Sequence, residues 1–187
     1  PAPHNGRYIH DLAVSCDGVL YIAERDTRCI VLHDLRGRFP RVWLPLGESV
    51  PYRLAADPRG GVWALGSASM AGAQPGVWLY RVTGLPRPPS APYNADVLRP
   101  VEESPEPLRC TLVARLPSPL HEQLTAIDLA CSAGGRLVVL AHDPSNRCCL
   151  LQLSPDRTWL APMFLRTEPA HYVQFLSVAW IDEERVA

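Results

Sequence analysis

Four polar residues recur at one place in a repeated pattern. Asp11, Arg53, Asp128 and Ser177 each stand directly before the pairs Leu12-Ala13, Leu54-Ala55, Leu129-Ala130 and Val178-Ala179. Two carboxylates, a guanidinium and a hydroxyl gathered at one mouth would bind a small polar ligand or a cation. The same residues serve equally well as structure, with Asp11 and Arg53 paired and Asp128 accepting backbone hydrogen bonds. The structural reading is preferred, because paired buried charges are commoner than catalytic ones. His10 lies beside Asp11 as a possible general base, yet its counterparts Tyr52, Ile127 and Leu176 make this a packing position.

The other histidines, at 4, 33, 121, 142 and 171, lack the His-x-x-x-His spacing of a zinc site, and no Gly-x-Ser-x-Gly elbow occurs. All eighteen basic residues are arginine. A chain without lysine has no Schiff-base chemistry and no phosphate-loop lysine. No catalysis, metal or cofactor is therefore expected.

The elements that must position the polar set follow from the repeat. Aligned on Leu12, Leu54, Leu129 and Val178, the copies are spaced 42, 75 and 49 residues apart. In each copy, apolar runs of strand length alternate with turn signals such as Asp17-Gly18, Gly60-Gly61 and Gly134-Gly135. Four strands fit the first unit, over 8–14, 19–24, 29–35 and 40–46. Such a unit is the signature of a β-propeller blade, in which both faces of each sheet pack on neighbours. The expected fold is all-β, a single propeller segment of about three and a half blades. The blades are placed at about 8–46, 50–116, 124–166 and, in part, 173–187, with only two inner strands, 175–180 and 185–187, in the last. The polar set then lies on innermost strands lining a central channel. An arc with bare strand edges invites pairing with another chain.

The long second interval has a cause in residues 84–109, which carry seven prolines and no strand-like run. This is read as an insertion between a third strand, Val77–Val82, and a fourth, Cys110–Arg115. A loop of that length in a compact domain is commonly functional or disordered, and docking on its own domain is the preferred alternative to a partner contact. Its Tyr93, Leu98, Arg99 and Leu108 are the candidate contacts to a partner.

Six cysteines in a chain this large and apolar read as reduced, buried thiols rather than a disulfide frame. Cys29 and Cys148 occupy equivalent positions, and Cys148-Cys149 on a strand would point to opposite faces. Trp43, Trp63 and Trp78 lie on strand-like runs and are expected to pack between blades. With 47% hydrophobic residues the chain can bury a substantial core. A net charge of −1 with arginines scattered along the chain is no footprint for nucleic acid. No apolar run reaches a membrane span. Pro1-Ala2-Pro3-His4 shows neither an initiator methionine nor a signal-peptide pattern, which reads as an excised domain or the ordered part of something longer. The expected compartment is the cytoplasm.

The blade pattern resembles NHL-type six-bladed propellers over most of the chain. A narrower likeness runs through Tyr8-Ile9-His10-Asp11-Leu12-Ala13, His33-Asp34-Leu35-Arg36-Gly37-Arg38, Arg53-Leu54-Ala55-Ala56, Gly60-Gly61-Val62-Trp63-Ala64-Leu65 and Arg81-Val82-Thr83-Gly84-Leu85-Pro86. Tyr93, Arg99-Pro100, Glu102 and Pro105 complete it. This stretch is similar to the propeller region of phage-tail-like proteins of bacterial contractile injection systems. That resemblance implies a structural or accessory part of a tail or baseplate, with protein neighbours and no catalysis; self-association is expected from the bare strand edges. The lactonase-like propeller hydrolases share the blade pattern and imply a channel calcium held by Glu, Asn and Asp. Here the three asparagines, Asn5, Asn94 and Asn146, fall on no predicted inner strand. A ligand-sensing propeller is the third alternative, which Asp11 and Asp128 at the channel mouth would permit.

Overall fold

A computed structural model describes residues 8–38, 40–47, 49–68, 76–85, 108–117, 125–142, 147–154, 156–165, 177–179 and 185–186. Among them the chain is all-β, with twelve strands and no helix, and so no helix long and apolar enough to cross a membrane. The strands are β1 (Ile9–Val14), β2 (Val19–Glu24), β3 (Cys29–Asp34), β4 (Val42–Pro45), β5 (Ser49–Ala56), β6 (Val62–Ala68), β7 (Val77–Thr83), β8 (Arg109–Arg115), β9 (Thr125–Cys131), β10 (Leu137–His142), β11 (Cys148–Leu153) and β12 (Met163–Phe164).

They form three four-stranded antiparallel sheets, each joined in sequence order: β1 to β4, β5 to β8 and β9 to β12. Alternation of side chains along each strand builds the cores between sheets. Val62 and Ala64 on β6 pack with Val19, Tyr21, Ile30 and Leu32 of the first sheet. Trp63 and Leu65, one residue out of phase, pack with Leu129, Leu137, Val139 and Leu151 of the third. The second sheet is therefore covered on both faces. On the far face of the third sheet, Val138, Leu140 and Leu150 close a smaller core with Val178. The vicinal cysteines divide as the alternation requires, Cys148 into this outer core and Cys149 into the core shared with the second sheet.

The first turn of every sheet uses the same closure. Ser15 N–H donates to Val19 O and Gly18 N–H to Ser15 O; Asp57 with Gly61 and Gly60, and Ser132 with Arg136 and Gly135, repeat both bonds. The third and fourth strands of the second sheet flank the proline-rich insertion, whose ends meet where Leu108 N–H donates to Leu85 O at 3.0 Å. Leu85 and Leu108 also pack against the core between the first and second sheets. Tyr93, Leu98 and Arg99 lie outside the described residues. In the last unit, residues 177–179 are irregular chain rather than strand, and 175, 176 and 180–184 are outside the described residues.

Three expectations need correction. His10 is exposed instead of packed, because it is the extra residue of a bulge described below. Cys16 is exposed, since it sits in the β1–β2 turn, although all six cysteines are free. Trp63 packs between sheets, but Trp43 is 47% exposed, on the face of the first sheet turned away from the second.

Candidate functional site

Three of the recurrent polar residues, Asp11, Arg53 and Asp128, lie on the three first strands, which neighbour one another, β1 beside β5 and β5 beside β9. Each is preceded by a break in register. Ile9 pairs with Glu24 but Asp11 with Ala23, leaving His10 as an additional residue in β1. In the same way Tyr52 is the additional residue of β5 and Ile127 that of β9. A bulge bends its strand and re-aims the next side chain.

The re-aimed side chains reach beyond their own sheets. Asp11 Oδ2 accepts from Leu54 N–H at 2.7 Å, while its Oδ1 accepts from Leu12 N–H at 2.8 Å. Asp128 Oδ2 accepts from Val178 N–H at 2.8 Å, the equivalent position one repeat later. Arg53 also reaches forward. Its Nε donates to Ile127 O, the carbonyl of the bulged residue, with Asp128 Oδ1 at 3.9 Å. Arg53 thus pairs with Asp128 and not with Asp11, contrary to the expected ion pair, because the bulges turn each side chain toward the following repeat. Ser177 is exposed beside Val178. With both carboxylates engaged on backbone donors, Asp11 joins the first sheet to the second and Asp128 joins the third sheet to the chain at Val178. Asn5, Asn94 and Asn146 are outside the described residues, among which no three His, Cys, Asp or Glu side chains converge as metal ligands.

A second constellation escaped the sequence. At the end of the molecule carrying the β5–β6, β9–β10 and β11–β12 turns, a cavity of about 650 Å³ opens between the second and third sheets. Arg59, Arg81, Arg136 and Arg157 line it, with Trp63, Leu137 and Leu153 as its apolar wall and no acid among its lining residues. Asp57 stands at its margin with no exposed side-chain surface, 3.3 Å from Arg59 Nε and 2.7 Å from Arg81 Nη2. The Arg81 guanidinium lies 5.3 Å from the Trp63 ring centroid, a cation–π stack that holds its plane. Gly135, at φ +82°, leaves the space that the Arg59 guanidinium occupies; a Cβ there would fall inside van der Waals contact with it. Arg157 adopts φ +66°, a left-handed backbone that disfavours a side chain.

Cys131 lies within electrostatic reach of this cluster. Burial foremost, then the charge of Asp57, pushes its thiol up to about 11, with Arg59 and Arg81 pulling the other way. It stays a neutral thiol near neutral pH. The pocket's signal in the sequence is the placing of Arg59, Arg136 and Arg157 in turns that follow strands, with Asp57-x-Arg59 as the first instance. No family model matches the chain, nor does any curated protein.

Proposed function

We propose that the protein is a non-catalytic protein-interaction scaffold whose three sheets are consecutive blades of a β-propeller segment. Three features support the propeller reading: the sequential order of strands in every sheet, the second sheet covered on both faces, and first strands that neighbour one another. The resemblance noted above adds the finer role, a structural or accessory component of a phage-tail-like assembly.

The observation carrying the scaffold reading is the outward face of the first sheet. Cross-strand pairing aligns Leu12, Ile22, Val31 and Trp43 in one row across all four strands. Leu12 is 54% and Trp43 47% exposed at its two ends, and Val14 is exposed beside Leu12, while Ile22 and Val31 between them are buried. The equivalent faces of the second sheet are both packed on another sheet. We assign the exposed positions of this face, Leu12, Val14 and Trp43, to contact with a second copy of the chain.

Sedimentation velocity tests the assignment. The wild-type chain is expected to self-associate at roughly 100 µM, and the Leu12→Glu/Trp43→Glu double variant to sediment as a monomer. A wild-type chain that stays monomeric at that concentration sinks the assignment. A ligand-sensing role gains support from a separate observation, the arginine-lined pocket.

A further inference from the structure

We propose that the cavity between the second and third sheets is a binding site for a small polyanion, a molecule bearing at least two phosphate or carboxylate groups. Its volume, about 650 Å³, lies in the range of small-molecule sites. Guanidinium groups approach it from four separate segments: the β5–β6 turn, β7, the β9–β10 turn and the turn after β11. Scattered surface arginines repel one another and drift into solvent, whereas Arg59 and Arg81 are held in place by specific contacts.

Arg81 is fixed from two sides, by Asp57 and by the face of Trp63. Its Nε is a buried donor without a hydrogen-bond partner. Arg59 is fixed by Asp57 below and by the glycine gap at Gly135. Arg157 occupies a conformation that glycine would adopt at lower cost, so this turn gives up stability for an arginine at the pocket. A rigid fork of donors matches the planar carboxylate and the tetrahedral phosphate, and several forks around one cavity select for more than one such group. Asp57, whose side chain is fully buried, contacts and orients Arg59 and Arg81.

Isothermal titration calorimetry on the full chain, with pyrophosphate and with citrate as probes at matched ionic strength, tests this. Binding of either probe in the micromolar to low millimolar range is expected; preference for pyrophosphate would identify phosphoryl ligands, and preference for citrate would identify carboxylates. Arg157→Gly is the decisive variant. It should weaken binding roughly tenfold through loss of a charge-assisted contact, while its melting temperature stays level or rises because the strained φ is relieved. Arg136→Gln should weaken binding in the same direction. Since arginine does not titrate near neutrality, affinity should follow only the ionisation of the probe between about pH 6 and 9. The proposal is overturned if neither probe binds the wild type, or if both variants retain its affinity.

Discussion

The carboxylate of Asp11, in the first sheet, accepts the backbone N–H of Leu54, in the second, at 2.7 Å. Leu54 is 6% exposed, so its N–H has no ready access to water once that acceptor is removed. Asp11→Ala is expected to cost about 1.5–3 kcal/mol, the value of a hydrogen bond to a charged group. Asp11→Asn keeps an acceptor and should cost less. Urea unfolding with an unchanged slope measures both, and an alanine variant as stable as the wild type would show that the joint is dispensable.

Backbone conformation supplies a sharper contrast. Gly61 and Gly37 both lie at positive φ, +82° and +72°, but a Cβ on Gly61 would collide with the carbonyl of Val82 in the same sheet while one on Gly37 meets nothing within 4 Å. Gly37→Ala should therefore cost only about 1 kcal/mol from its left-handed conformation. Gly61→Ala adds the displacement of a sheet backbone and should lose at least about 3 kcal/mol. Thermal melts of the two variants side by side test the ordering.

Acid sensitivity is expected from the β3–β4 turn. The Arg38 guanidinium foremost, helped by the backbone N–H groups of Arg36 and Arg38 and opposed by burial, holds the Asp34 carboxyl down to about 2 from an ordinary 3.8. A depressed folded value means that the stabilisation is fully present above the unfolded pKa and is lost as pH falls through the folded one. The wild type should therefore lose stability between about pH 4 and pH 2 more steeply than Asp34→Asn. Parallel slopes would remove Asp34 from the account.

Thiol labelling reads burial directly. Burial raises Cys110 to about 11, and Cys131 is raised to the same value with Asp57 adding to burial; Cys148 and Cys149 are inside the cores. Cys16 alone of the six is exposed, though its hydrogen bond to Asp17, foremost, raises its pKa as well. A maleimide at about pH 8 should modify Cys16 ahead of the other five, and all six after unfolding. Mass spectrometry of digested samples resolves the order.

The insertion offers a test by excision. Its ends already meet through Leu85 and Leu108, so replacing residues 86–107 with a short Gly-Ser turn should leave the melting temperature within a few degrees, closure entropy depending only weakly on loop length. Loss of soluble protein would make the segment a clasp instead of an appended surface.

Much of the strand framework was legible because it rests on local chemistry. Alternating apolar residues and glycine turns located β2 at Val19–Glu24, and a cluster of prolines set the insertion between β7 and β8. The bulges at His10, Tyr52 and Ile127 were not legible, since three unrelated residue types occupy them and register is settled by pairing with the next strand. Repeat spacing alone pairs Arg53 with Asp11, whereas in the structure it reaches Asp128. Trp43 was misplaced for a related reason, as alternation tells which face a residue takes but not what lies beyond that face. The arginine pocket depends on long-range assembly. Arg59 and Arg157 are far apart in the chain, and only the stacking of two sheets makes them neighbours.

The joints at Asp11 and Asp128 also bear on how such a chain grows. Each consists of one side chain reaching for a main-chain amide, a group that nearly every residue carries, so the acceptor side dictates the bond and the receiving unit needs no matching side chain. Duplication of a segment with its aspartate would bring a ready-made coupling along with it. Tandem copying could thus lengthen the array while the receiving surfaces drift in sequence, and the scarcity of shared residues among the units of this protein is what such a history would leave behind.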